Sequence, residues 1–261
     1  MSEAGPLAGR RMLVTRARHQ AGRLSAELAK LGAEVIEIPA IEIVPPESFE
    51  RLDAALRHPD LHDWLIVTSA NAVRAIGDRC AALGIAHECL CKWNVAAVGA
   101  TTVKALEALG LQPSVTPKQY VAESLVEALR GQARGKRVLL VRAAVARDVI
   151  PDALKQQGAE VEIAEAYRTV IPESSVKRIA ALFTGEPPDA ATFTSSSTVT
   201  NFIQLLHAAG YAQRPEGMMA LSIGPITSQT LREYGWEPTA EADPHDVTGL
   251  VRATVRALAA S

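Results

Sequence analysis

The chain has 261 residues, of which 48% are hydrophobic and 21% charged, and its formal net charge is −2. This length suits two domains of ordinary size, and the composition is that of a globular protein with enough apolar residues for a core. The small negative charge and the lack of a lysine- or arginine-rich run argue against a nucleic-acid or membrane-surface binder.

The same composition bears on the compartment. The first six residues contain no apolar signal segment, and nowhere do about 18 apolar residues run together, as a membrane span would need. The three cysteines, Cys80, Cys89 and Cys91, are odd in number and unevenly spread. We therefore expect a cytoplasmic protein with reduced thiols and no membrane association.

Short apolar runs alternate with helical patterns along the first half of the chain. Strands are predicted at residues 12–15, 35–38, 65–68 and 95–98. Leu24, Leu28 and Leu31 fall on one face of a helix between the first two strands, which gives a β-α-β start. Residues 39–46 carry three prolines and no helix signal, so we expect an extended connection there.

The second half has the same layout. Strands are predicted at residues 138–141, 161–164, 190–193 and 219–223, and helices at about 150–157 and 247–258. Residues 165–172 form a second extended segment. Strands that alternate with helices predict parallel sheets covered on both faces, the α/β class.

The two halves match each other position by position. Residues 9–16 return as residues 135–142 with an offset of 126 positions, and residues 67–73 face residues 193–199. Gly99 and Gly110 return as Gly224 and Gly235 with an offset of 125 positions. We interpret the chain as two fused copies of one unit.

Each copy contains a glycine turn that leads from a strand into a short helix. The glycines are Gly99 and Gly224, and a threonine follows three residues later, at Thr102 and Thr227. We predict that Thr227 is the N-cap of its helix and that Gly235 takes the left-handed conformation past the helix end. The N–H groups at such a helix start favour a carboxylate or a phosphate.

Two further turns are rich in hydroxyl groups. They are Thr68-Ser69-Ala70-Asn71 and Thr194-Ser195-Ser196-Ser197-Thr198. Capping of the next helix explains one hydroxyl in each turn, but three adjacent serines exceed what one cap uses. Ligands of open α/β sheets bind at the carboxyl ends of the strands, where both turns lie. Together with the glycine turns they predict a ligand that carries several carboxylates or phosphates.

Three other side chains have two possible readings. Arg16 and Arg142 end the first strand of each copy, so each either pairs with a carboxylate of the fold or contacts the ligand. Tyr167 matches Ile41 in the first copy, so the scaffold alone does not require a tyrosine. Its ring either packs on an extended segment or presents a phenol as a proton donor.

Metal and cofactor motifs are not found in the sequence. Only His58 and His62 have the spacing of metal ligands on a helix, and Pro59 disfavours a helix at His58, while Cys89 and Cys91 have no second cysteine pair. No phosphate-binding loop, dinucleotide-binding glycine motif or nucleophile elbow occurs. We therefore expect no metal and no cofactor.

In their order and spacing, these motifs resemble the uroporphyrinogen-III synthase family over essentially the whole chain. The matching pieces are Val-Thr-Arg at 14–16, Val-Thr-Ser-Ala-Asn-Ala-Val at 67–73, Ala-Val-Gly-x-x-Thr at 97–102, Gly-Lys-Arg-x-Leu-Leu-Val-Arg at 135–142, Tyr-Arg-Thr at 167–169 and Ser-Ile-Gly-Pro-x-Thr at 222–227. One departure is the segment 143–147, where many relatives have a glycine-rich loop and this chain has mostly alanine.

The resemblance implies a fold of two flavodoxin-like parallel-sheet domains joined by a two-stranded linker. It assigns residues 1–38 and 173–261 to one discontinuous domain and residues 46–164 to the other. The two linker crossings are then residues 39–45 and 165–172.

The resemblance also implies an activity. The family converts hydroxymethylbilane, a linear tetrapyrrole with acetate and propionate side chains, to uroporphyrinogen III with loss of water and inversion of ring D. We expect a monomer that needs no cofactor, with Tyr167 as proton donor to the leaving hydroxyl and Thr227 as a site threonine. The expected substrate contacts are Arg16, Thr68, Ser69, Asn71, Gly99, Thr101, Thr102, Arg142, Thr194, Ser195, Ser196, Gly224 and Ser228.

Two alternatives stay open at this point. One is a non-catalytic two-domain module of the same fold that binds a ligand or regulates, because fold does not fix function. The other is an enzyme that acts on phosphosugars or nucleotides, which would use the same helix starts but should also show a base-stacking or metal-holding residue near them. The sequence offers no such residue.

Overall fold

The structure, a computed structural model, describes residues 5–16, 18–117 and 122–259. Residues 1–4, on which part of the expected localisation rests, lie outside the described ranges. Within these ranges the chain forms ten strands and ten α-helices, most of which alternate along the sequence. The fold is therefore of the α/β class, as predicted.

The strands confirm the eight predicted positions to within a few residues. In chain order they are β1 (Arg11–Val14), β2 (Glu34–Glu37), β3 (Glu42–Val44), β4 (Trp64–Val67), β5 (Asn94–Ala97), β6 (Arg137–Ala143), β7 (Glu160–Val170), β8 (Ala190–Phe193), β9 (Met219–Ser222) and β10 (Ala240–Glu241). The seventh strand is longer than predicted, because it continues through most of the segment 165–172.

The helices include both of those predicted in the second half of the chain. They are α1 (Arg18–Lys30), α2 (Glu50–Arg57), α3 (Ala70–Leu83), α4 (Ala100–Ala108), α5 (Ala122–Ala128), α6 (Val149–Gln156), α7 (Glu173–Thr184), α8 (Ser196–Ala208), α9 (Pro225–Glu233) and α10 (Val247–Ala259). No helix in the described ranges is long and apolar enough to cross a membrane.

The chain divides into two compact units. The first contains Met1–Glu42 and Val170–Ser261, and the second contains Ile43–Thr169. The sheet of the first unit has the strand order β10-β9-β8-β1-β2, and its neighbouring strands are parallel. Counted in chain order within the unit this is 2-1-3-4-5, the order of flavodoxin-type doubly wound sheets.

The sheet of the second unit has the order β3-β7-β6-β4-β5, with β4 parallel to both β5 and β6, and β6 parallel to β7. Every residue of β4 is buried, because core side chains cover both faces of this central strand. The uninterrupted run Trp-Leu-Ile-Val reflects that burial, since a strand covered on one face would alternate with polar residues.

Equivalent residues of the two halves pair with each other's equivalents in the two sheets. Met12 pairs with Ala190 across β1 and β8, and Val138 pairs with Trp64 across β6 and β4, so both partners are shifted by the 126 positions of the sequence match. Asp189 accepts a hydrogen bond from the backbone N–H of Arg11, and Asp63 accepts one from Arg137. Each sheet thus combines strands from both halves of the sequence.

Each unit has an apolar layer on either side of its sheet. In the first unit the larger aromatic side chains collect on one face, where Trp236 stacks edge-on against Phe193 at 5.3 Å between ring centroids and Phe202 completes the group. The opposite face packs against α1 and α10. These layers leave the carboxyl edge of each sheet as the place where polar side chains can gather.

Candidate active site

Four helices begin directly after the carboxyl ends of parallel strands. In the second unit α3 follows β4 and α4 follows β5, and in the first unit α8 follows β8 and α9 follows β9. Each start directs unpaired backbone N–H groups away from the sheet, with about half a positive charge from the helix dipole.

Ser69 is the N-cap of α3, as its position after a buried strand predicts. Its Oγ accepts a hydrogen bond from the backbone N–H of Ala72 at 3.2 Å. The same oxygen accepts a second hydrogen bond from the phenolic hydroxyl of Tyr167 at 3.1 Å. A serine hydroxyl has two acceptor lone pairs and one hydrogen. With both lone pairs used, the remaining function of Ser69 is to donate its own hydrogen.

An irregularity in the sheet sets the position of Tyr167. The register between β6 and β7 shifts at Arg142 and Ala143, so that Ala143 lies opposite Tyr167. Such bulges re-aim side chains and are frequent beside active sites. The ring of Tyr167 packs against the apolar core while its hydroxyl reaches Ser69. The structure therefore contains the packing of the ring, and the role of the phenol as a proton donor to a ligand stays a prediction.

The other predicted residues of the second unit surround these two helix starts. Thr68 and Asn71 are half-buried, and Asn71 accepts a hydrogen bond from Arg74 at 3.0 Å. Gly99 is the N-cap of α4 and has a φ of 90°, a conformation that favours glycine. Thr101 is exposed on the first turn of the helix, whereas Thr102 is buried.

Arg142 is engaged within its own loop. Its guanidinium donates to Asp148 at 2.6 Å and to the carbonyl of Arg147 at 3.0 Å, and only 12% of the side chain is exposed. Of the two readings, the carboxylate partner within the fold is the one that the structure contains.

In the first unit, Ser195 caps α8 and organises the serine-rich turn. Its Oγ accepts from the backbone N–H of Thr198 at 3.2 Å and also contacts the hydroxyls of Ser197 and Thr198. Ser196 donates to the carbonyl of Ile226 at 3.3 Å and so links the starts of α8 and α9. Thr194 is half-buried at the end of the strand.

The predicted capping role of Thr227 is wrong. The N-cap of α9 is Gly224, Pro225 is the first helical residue, and Thr227 lies in the first turn with 4% of its surface exposed. The fixed φ of proline suits the first helical position, so the helix begins three residues earlier than predicted. Gly224 itself is buried against His245, whose ring an added Cβ would approach to 3.2 Å. Gly235 has the predicted left-handed conformation, with a φ of 71°.

Ser228 does not fit its predicted role as a direct substrate contact. It is fully buried, its Oγ lies 2.6 Å from Ser222 Oγ, and it donates a short hydrogen bond to Glu241. These bonds tie α9 to β9 and β10, so the hydroxyl stabilises the turn from inside.

Arg16 lines a cavity of about 420 Å³ at the end of β2, together with Val35, Glu37, Pro39 and Arg178. Partial burial lowers the pKa of the Arg16 guanidinium, because desolvation disfavours its charged form. The cavity therefore contains the guanidinium that the sequence indicated and a second one, from α7, that it did not. In the described residues no group of three or more histidine, cysteine, aspartate or glutamate side chains is arranged to hold a metal ion.

Comparison with known proteins now decides the family. The model of the family described as uroporphyrinogen-III synthase HemD matches residues 22–252. A uroporphyrinogen-III synthase of Synechococcus elongatus is 36% identical over 257 residues, which cover 95% of each chain. A putative uroporphyrinogen-III synthase of Methanothermobacter thermautotrophicus is 33% identical and covers 86% of this chain and 89% of its own. The chain belongs to the uroporphyrinogen-III synthase family.

Solved structures of uroporphyrinogen III synthases share the fold. A mutant of the Thermus thermophilus enzyme aligns over 97% of this chain and 100% of its own, with a TM-score of 0.68 and 20% identity. The Helicobacter pylori protein aligns over 95% of this chain and 99% of its own, with a TM-score of 0.59 and 18% identity. At these identities the likeness concerns the fold alone.

Two exposed apolar side chains at the carboxyl edges of the sheets were not predicted from the sequence. Ile226 is 78% exposed on the first turn of α9, and Val145 is 93% exposed in the loop that follows β6. The available signal was an isoleucine directly after the Gly-Pro step of a helix start, where the side chain has no core to enter.

Proposed function

We propose that this chain is a cyclising lyase that converts hydroxymethylbilane to uroporphyrinogen III, with loss of water and inversion of ring D, in tetrapyrrole (haem) biosynthesis. Family membership over residues 22–252 gives the reaction. The structural observation that carries the proposal is the hydrogen bond from Tyr167 to Ser69, which supplies a proton donor at a helix start able to bind an anion. The alternative of a non-catalytic module is not favoured, because it gives this pair no task.

Local groups must bind the substrate, because a net charge of −2 does not attract a polycarboxylate. Each helix start can stabilise a carboxylate by about 0.3–1 kcal/mol when exposed, and by about 2 kcal/mol when partly buried. The proposed contacts of the second unit are Thr68, Ser69, Asn71, Gly99 and Thr101, those of the first are Thr194, Ser195, Ser196 and Gly224, and Ile226 offers an apolar surface for a pyrrole ring.

The chemical step is the departure of the hydroxymethyl oxygen. Ser69 donates its hydrogen to that oxygen as the C–O bond breaks, and the phenolic proton of Tyr167 moves to Ser69 Oγ along the existing hydrogen bond. Water leaves and the pyrrole nitrogen shares the positive charge of the resulting azafulvenium cation. After ring D has attacked, a pyrrole proton is lost and returns to Tyr167, so the enzyme ends in its starting state.

Orientation is the other contribution. The bilane closes unaided without inversion of ring D, so the enzyme must hold the two terminal rings in the geometry that leads through a spiro intermediate. We propose that the reaction needs no metal or cofactor, and that the protein acts as a cytoplasmic monomer.

The test is to incubate the purified protein with freshly prepared hydroxymethylbilane and to separate the type I and type III isomers by chromatography. We expect the type III isomer in excess, at the same rate with and without a metal chelator. Formation of the type I isomer alone, at the spontaneous rate, would reject the proposal. Activity that a chelator abolishes and a metal restores would reject its metal-free form.

A further inference from the structure

The cavity at the end of β2 brings two arginines together from distant parts of the sequence. Arg16 follows β1, and Arg178 lies in the middle of α7, next to the fully buried Ile179. Glu37, at the end of β2, contributes a carboxylate to the same wall. The volume of about 420 Å³ lies in the range of ligand pockets, about 300–1,000 Å³.

The charges of this lining favour an anion. The five lining residues carry two guanidinium groups and one carboxylate, which leaves one net positive charge inside a concave surface. Partial burial lowers the pKa of the Arg16 guanidinium, and a carboxylate beside it would favour its charged form. A guanidinium also binds a carboxylate with two parallel hydrogen bonds, a geometry that lysine cannot reproduce.

We propose that Arg16 and Arg178 together bind a carboxylate of the substrate side chains in this cavity, so that Arg178 is a substrate-binding residue. This inference rests on the proposed function, because hydroxymethylbilane supplies the carboxylates. The cavity is lined by alternate positions of β2, Val35 and Glu37, and by Pro39 after it, so it reaches the carboxyl end of β2, at the same edge of the sheet as the starts of α8 and α9. It therefore extends the anion-binding edge of the first unit to the outer strand.

The experiment compares three variants of the full chain. Arg178→Gln removes the cation, Arg178→Lys keeps the charge without the planar fork, and Lys177→Gln removes a neighbouring cation. Lys177 pairs with Glu173 at 2.7 Å on the same helix and is not among the residues that line the cavity, so it controls for net charge. Thermal melting of each variant checks that the fold is intact.

We expect Arg178→Gln to raise KM for hydroxymethylbilane about tenfold with little change in kcat, the size of one charge-assisted hydrogen bond in a partly open site. Arg178→Lys should recover part of this loss, and Lys177→Gln should stay within about twofold of the wild type. Fluorescence titration with uroporphyrin III, which carries the same acetate and propionate groups, should show the same order of dissociation constants.

The two arms separate this inference from the proposed function. If the wild type forms the type III isomer and Arg178→Gln matches Lys177→Gln in KM and in uroporphyrin binding, the inference is overturned and the function stands. If the wild type forms no type III isomer, the proposed function is rejected, and the uroporphyrin titration alone decides whether the cavity binds an anion. Weaker uroporphyrin binding by Arg178→Gln alone would then still support the anion site, and equal or undetectable binding would overturn it.

Discussion

The phenolic hydroxyl of Tyr167 donates to Ser69 Oγ across 3.1 Å, and the same oxygen accepts from the first turn of α3. A capping serine ordinarily satisfies one backbone N–H and is otherwise solvated. Here the cap is also one end of a side-chain hydrogen bond between residues 98 positions apart. Ser69 therefore both stabilises α3 and accepts the hydrogen bond of the proposed proton donor. Variants of the two residues should accordingly differ in their effects on stability and on activity.

Tyr167→Phe should lower the rate of type III isomer formation about 10²-fold, the low end for general acid catalysis, because water can replace the phenol in part. The melting temperature should change little, since Ser69 keeps its bond from Ala72 and the ring keeps its packing. Tyr211→Phe is the matched control, because that phenol donates to the carbonyl of Ala180 while its ring packs against the core of the first unit. A wild-type rate for Tyr167→Phe would reduce Tyr167 to packing.

Ser69→Ala should lose both the cap, worth about 1 kcal/mol of stability, and most of the activity. If the two residues transfer one proton in sequence, the double variant with Tyr167→Phe should be little slower than the slower single variant. The measurement is a double-mutant cycle on the rate of type III isomer formation. Rate losses that multiply would show that Ser69 and Tyr167 act separately.

Thr227→Val and Thr102→Val compare equivalent positions on α9 and α4, both nearly fully buried in the first helical turn. Valine keeps the shape of threonine, so each variant tests the hydroxyl alone. We expect Thr227→Val to lower turnover by about two- to tenfold, the value of one hydrogen bond, and Thr102→Val to lower it less. Equal losses of turnover in both variants would remove the special role of Thr227.

Ile226→Ala should raise KM for hydroxymethylbilane about three- to tenfold, because part of an isoleucine side chain would no longer be buried against a pyrrole ring. Leu61→Ala is a suitable control. Leu61 is also exposed, at 47%, but it precedes the amino end of β4, whereas the proposed contacts follow the carboxyl ends of strands. Steady-state kinetics of both variants decide the question. An unchanged KM for Ile226→Ala would exclude this contact.

Asp63→Asn should reduce stability at pH 7 by about 1 kcal/mol, the typical net value of a hydrogen bond. The backbone N–H of Arg137 is the main cause that lowers the pKa of Asp63, and Lys136 adds to it. A lowered folded-state pKa stabilises the protein above the unfolded value of about 3.9 and ceases to do so as the pH falls through the folded value. Urea unfolding from pH 7 to pH 3 should show the difference between variant and wild type shrinking below about pH 4. A constant difference would contradict this account.

Local chemistry determined much of this protein from sequence alone. The apolar runs of β4 and β8 predict buried strands because each residue's burial follows from its neighbours, and Ser69 predicts a cap because the capped N–H lies three residues away. Gly235 is another such position, since the helix end and the left-handed residue adjoin. The family resemblance likewise depends on short motifs in order.

Tertiary structure alone decided what depends on distant partners. Thr227 is predicted as an N-cap and Ser228 as a substrate contact, but Pro225 starts the helix earlier and Ser228 is buried with its hydroxyl bonded to Glu241. Arg178 has no motif around it and becomes a candidate only when α7 packs beside the end of β2. A sequence pattern predicts the local structure around a residue. A site depends on which strands lie side by side. That strand order follows from burying the apolar faces of the whole unit.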